Sequence, residues 1–128
     1  MANIRPWESE FSVERIVPLM ESSDLRVLEI VLLPGQCVPW HLHPYTDDLF
    51  IAVTGVLDVH VKKPLVVTRL SPGKQLMVPK KRAHLAHNPT SETIMFLNVQ
   101  GIGPYDYLPI GNQAAPDFTA RPFTADTL

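Results

Sequence analysis

Short branched segments, each cut off by a proline or glycine turn, leave this chain little alternative to an all-β fold. Residues 26–33 alternate, are rich in Val, Leu and Ile, and stop at Pro34-Gly35. Residues 49–53 form a continuous apolar run ending at Thr54-Gly55, the pattern of a strand covered on both faces. Residues 56–62 alternate cleanly: Leu57, Val59 and Val61 share one face, and Asp58, His60 and Lys62 share the other, which reads as solvated. Further strands fit 65–70, 75–78, 83–87 and 93–100, with turns at Ser71-Pro72-Gly73 and Asn88-Pro89-Thr90. No long helical period appears, and 13 prolines spread along the chain favour short strands over long helices. Repeated short strands with this punctuation predict a β-sandwich or barrel.

A chain of 128 residues suits one domain. A net charge of -2 gives no global sign of nucleic-acid binding, so no nucleic-acid partner is expected. Cys37 is the only cysteine, which excludes an internal disulfide and reads as a small buried residue. No apolar run approaches the roughly 18 residues of a membrane span, and the first residues lack the apolar core of a signal peptide. The expectation is a cytoplasmic protein with no membrane partner.

Chemistry concentrates in PWHLHPYTDDLF, residues 39–50. Pro39 and Pro44 oppose a helix, and on a strand His41 and His43 point to the same face. With carboxylates nearby, that pair is either raw material for a metal site or two histidines on a polar surface. A second stretch, GKQLMVPKKRAHLAHN, residues 73–88, carries His84 and His87. Their odd spacing sends them to opposite faces of a strand, so one site does not use both, and His87 falls on the outer face. Asn88 reads as a turn-closing residue, and Lys80-Lys81-Arg82 as a solvated loop or an attractor for an anionic ligand.

The two stretches together resemble the cupin family. The first family motif is met by Gly35, His41, His43, Asp48 and Gly55, and the second by Gly73, Pro79, His84 and Asn88. There are two departures. Asp48 stands where the family usually has Glu, one methylene or about 1.5 Å shorter, and Lys81 stands where it usually has Gly, without glycine's freedom at positive φ. The resemblance implies a jelly-roll β-barrel (a double-stranded β-helix) over 21–110, with 1–20 as an arm or edge strand and 111–128 as an extended tail. It implies that His41, His43, Asp48 and His84 bind one divalent transition metal, and that donor set suits Fe, Mn, Ni, Cu or Zn.

Tyr45, Phe50, Ala52, Ala86 and Asn98 are candidate pocket residues around that metal. Tyr45 lies between the ligands, while Phe50, Ala52 and Ala86 share parity with metal-facing positions. Asn98 and Gln100 share a face, but parity does not say which face looks inward. The implied function is a metalloenzyme acting on a small oxygen-rich molecule by dioxygenase, isomerase or lyase chemistry. The alternative is a non-catalytic cupin that binds or senses a small ligand. A homodimer is expected in either case.

Overall fold

The structure, a computed structural model, describes residues 13–102 and the short strand Leu108–Pro109. The expected tail over 111–128 and the first 12 residues of the expected arm lie outside the described residues. In chain order the strands are β1 (Arg15–Glu21), β2 (Leu25–Leu32), β3 (Cys37–Leu42), β4 (Asp48–Thr54), β5 (Leu57–Val61), β6 (Val66–Leu70), β7 (Gln75–Val78), β8 (His84–His87), β9 (Ile94–Gly101) and β10 (Leu108–Pro109). Strands β2, β4, β5, β6, β7, β8 and β9 sit where the sequence predicts extended backbone, and β1 takes the edge position left open for the first 20 residues. There is no helix among the described residues.

The strands make two five-stranded antiparallel sheets, ordered β1-β2-β9-β4-β7 and β10-β3-β8-β5-β6. This is jelly-roll order: apart from β1–β2 and β5–β6, neighbours in a sheet come from distant parts of the chain. Strand β1 pairs along β2 at the edge of the first sheet, with a bulge between Pro18 and Met20. Pro18 has no N–H to donate, and an edge position tolerates that loss.

Alternation decides what each face meets. Leu28, Ile30 and Leu32 from β2, Phe96 and Ile94 from β9, and Phe50 and Ala52 from β4 face inward and meet Leu57, Val59 and Val61 from β5. Leu28, Leu32, Leu57 and Phe96 are fully buried, and each such side chain contributes roughly 1.5–3 kcal/mol. The expectation that β4 is covered on both faces is corrected: Leu49 and Ile51 are half-buried and Val53 is exposed.

Turns obey the motif glycines. Gly55 has φ +80°, and a Cβ there would meet Ile94 Cγ2 at 2.5 Å, so no larger residue fits without strain. Lys81 adopts φ 70° despite its side chain. The turn keeps the left-handed conformation expected of glycine and absorbs a cost of roughly 1–2 kcal/mol. A hydrogen bond from Lys81 N–H to the His43 carbonyl, 2.8 Å, helps hold it there.

A buried histidine and aspartate cluster as the candidate metal site

Inward-facing residues of the first sheet stack in rows that change from polar to apolar with depth. Arg26, Gln100 and Asp48 form one row across β2, β9 and β4; Leu28, Asn98 and Phe50 form the next; Ile30, Phe96 and Ala52 lie deeper. In the second sheet, His41, His84 and Val61 form a row across β3, β8 and β5. His43 follows the last residue of β3. The result is a polar end between the sheets, where His41, His43, Asp48 and His84 are all at most 3% exposed.

These four side chains offer ligand atoms that all lie within 4.8 Å of one another. His84 Nε2 lies 2.9 Å from Asp48 Oδ2, and His43 Nε2 approaches the same oxygen at 3.2 Å. The His41 ring lies 4.3 Å from His84 and 5.0 Å from His43, centroid to centroid. Two backbone carbonyls orient the rings: His41 Nδ1 lies 2.7 Å from the Pro39 carbonyl and His84 Nδ1 lies 2.8 Å from the Arg82 carbonyl. Each Nδ1–H donates to its carbonyl, which turns Nε2 toward the cluster.

His84 therefore has an acceptor at each end, a carbonyl at Nδ1 and a carboxylate at Nε2. A neutral ring has one N–H and cannot satisfy both. A cation held by both side chains would satisfy this pairing. Burial lowers the His41 pKa well below its ordinary value, and the neighbouring charges of His84 and His43 lower it further. Burial alone would raise the Asp48 carboxyl, but contacts with His43 and His84 outweigh it and hold the group ionised well below the usual carboxylate range. Several imidazoles gathered in a dry space around one carboxylate fit a divalent cation.

Asp48 is itself fixed by a buried chain. Asn98 Nδ2 donates a short hydrogen bond to Asp48 Oδ1 and another, 3.1 Å, to the Leu49 carbonyl. Gln100 Nε2 donates to Asn98 Oδ1 at 2.5 Å, and Arg26 Nε donates to Gln100 Oε1 at 2.9 Å. Sequence reasoning named Asn98 as a pocket residue, left the direction of its face open, and overlooked Arg26. The available signal was parity: Arg26 alternates in step with Leu28, Ile30 and Leu32.

The other candidates separate. The Phe50 ring lies 5.7 Å from the His84 ring. Ala52 and Ala86 belong to the apolar core, and Tyr45 is 57% exposed on the loop between β3 and β4. Asp47 is also exposed; its Oδ1 accepts a hydrogen bond from Lys80 N–H at 2.9 Å and so ties two loops together. Asn88 closes a turn as expected, accepting from Thr90 N–H and Oγ1–H and donating to the Leu32 and Glu92 carbonyls. Cys37 is buried, and burial pushes its thiol up to about 12.

A family model described as the cupin domain matches residues 28–100, more than half of the chain. The chain belongs to the cupin family. Among solved structures, this cupin is similar to an uncharacterized conserved protein with a double-stranded β-helix domain from Klebsiella pneumoniae, with 22% identity, a TM-score of 0.64, and coverage of 84% of this chain and 96% of that one. A Thermus thermophilus protein is 24% identical, with a TM-score of 0.63 over 80% of this chain and 91% of that one. Peruvianin-I, a cysteine peptidase from Thevetia peruviana latex, is 25% identical with a TM-score of 0.56 over 60% of this chain, and this cupin spans 50% of its length. No curated protein matches the sequence. These likenesses carry the fold, and function rests on the site.

Proposed function

We propose that this cupin is a metal-dependent enzyme acting on a small oxygen-rich organic molecule, with His41, His43, Asp48 and His84 as metal ligands. The observation that carries the reading is His84 set between two acceptors, an arrangement that a shared cation resolves. A bound Fe, Mn, Ni, Cu or Zn would supply Lewis-acid polarisation of a substrate oxygen or, for a redox metal, a site for dioxygen. The chain's own residues bind and orient. The Pro39 and Arg82 carbonyls fix two imidazoles, and Asn98 holds the Asp48 carboxylate in place. Phe50 keeps one side of the cluster dry. Lys62, Lys63, Lys81 and Arg82 line a separate cleft of about 230 Å³ that none of the four ligands borders.

The test is a library of chelating small molecules, carboxylates included, assayed with and without oxygen after reconstitution with Fe(II), Mn(II), Ni(II) and Zn(II). Turnover of at least one class is expected. Oxygen-dependent turnover with Fe or Mn supports dioxygenase chemistry, and oxygen-independent turnover supports an isomerase or lyase. Metal-loaded protein that binds these compounds and converts none would support a non-catalytic ligand-binding cupin instead. The near-complete burial of the four ligands favours that second reading.

We infer a homodimer formed through the outer face of the first sheet. That face presents half-buried Leu49, Ile51, Met95, Leu97 and Val99, and Met77 at 56% exposure. Such a broad apolar sheet surface calls for cover. Light scattering at micromolar concentration is expected to give twice the chain mass, and a monomer mass would reject the dimer. Among the described residues no helix is long and apolar enough to cross a membrane.

A further inference from the structure

The sheet that carries His41 and His84 on its inner face carries a second set of donors on its outer face. Asp58 on β5 pairs with His87 on β8, and His60 lies two residues along β5 on the same side. This corrects the sequence expectation of a solvated face: Asp58 and His87 are fully buried and His60 is half-buried. The His60 ring lies 6.1 Å from His87 at 63° and packs edge-on against Trp40 at 6.3 Å. One ligand atom from each of Asp58, His60 and His87 lies within 4.8 Å of the others.

We propose that Asp58, His60 and His87 form a second site for a divalent transition metal, distinct from the inner cluster. Two imidazoles and a carboxylate suit Zn(II), Ni(II) or Cu(II). Donors sharing one ion at about 2.0–2.2 Å stand roughly 3–4 Å apart, so small side-chain rotations close the site. Burial, with the charges of His60 and Arg69, lowers His87 to about 4, which keeps the ring neutral and able to ligate at pH 7. Cys37 pairs with His87 on the next strand, and the donors that gather within 4.8 Å are those of Asp58, His60 and His87.

Arg69 sets the strength of this site. Its Nε and Nη2 donate to Asp58 Oδ1 and Oδ2 at 2.9 and 3.0 Å. The guanidinium holds the carboxylate still but draws off its charge, so the outer site binds more weakly than the inner one and fills second.

The experiment is calorimetric titration of the chelator-stripped full chain with Zn(II), alongside Cu(II) titration read by tryptophan fluorescence. Wild type is expected to take two equivalents of Zn(II), the weaker of which disappears in His60→Gln. Cu(II) should quench fluorescence in wild type, and quenching should fall in His60→Gln. In a His43→Ala/His84→Ala background the outer equivalent is expected to persist, which separates this site from the inner one. Arg69→Gln is expected to tighten the second equivalent. A single equivalent in wild type, a second equivalent untouched by His60→Gln, or an Arg69→Gln protein that loses stability with no gain in affinity would each overturn the proposal.

Discussion

Alanine at His43 or at His84 is expected to strip most of the tightly held metal from protein purified without chelators. Each substitution removes one of the four donors and leaves the Asp48 carboxylate in a dry site without one of its two imidazole contacts. Breaking one partner away from a buried charged pair costs about 3–5 kcal/mol. Disturbing even the groups that orient a ligand typically weakens metal binding by roughly 10–100-fold. Elemental analysis with a melting curve reads both effects. Metal content should fall steeply in each single variant, and the rise in melting temperature on adding metal should shrink to what the weaker outer site supplies. Undiminished tightly bound metal in the double variant would sink the assignment. Asp48→Glu is the informative companion. It restores the usual family residue but adds a methylene beside Asn98, which already holds Asp48 closely. It should retain metal while changing activity.

Acidification of the metal-free protein is the second large effect. His41 and His87 are both held below the ordinary histidine value in the folded state, His41 first by burial and then by its histidine neighbours, His87 first by burial and then by His60 and Arg69. The unfolded chain, with ordinary histidines near 6.5, binds protons before the folded chain does. Stability from these groups is therefore complete above about pH 6.5 and declines as pH falls toward the folded values, about 4 for His87. The slope is at most about 1.4 kcal/mol per pH unit for each histidine. Asp48 adds loss only at much lower pH, because its folded value lies far below that of an ordinary carboxyl. Chemical denaturation in chelator between pH 7.5 and 4.5 should show a steep decline, and His87→Gln should flatten it. A pH-independent midpoint would mean that these histidines titrate alike in both states. Metal should protect, because bound imidazoles resist protonation.

The strands were legible because alternation and turn residues are local signals. Residues 26–33, 56–62 and 93–100 each match an observed strand to within two residues at either end. Opposite facing of His84 and His87 follows from period two alone, and the structure places them on opposite faces of β8. The motif spacing that resembles the cupin family singled out His41, His43, Asp48 and His84, which the fold brings together. What stayed hidden was which face is covered. Asp58, His60 and Lys62 looked solvated because polar residues usually face water, yet Asp58 is fully buried with its charge met by Arg69.

By itself, then, the sequence determined where the chain is extended, where it turns, and which side chains share a face, since these depend on neighbours a few residues apart. Only the tertiary structure decided which of those faces meets another sheet. It turned Asn98 and Gln100 inward to hold Asp48, sent Arg26 to complete the buried chain, and set Asp58 against His87 through β5–β8 pairing. Period two relates faces within one strand and leaves open which of the two is inside. That choice belongs to the pairing of segments far apart in the chain, where burial of apolar rows outweighs the cost of carrying a few polar residues in with them.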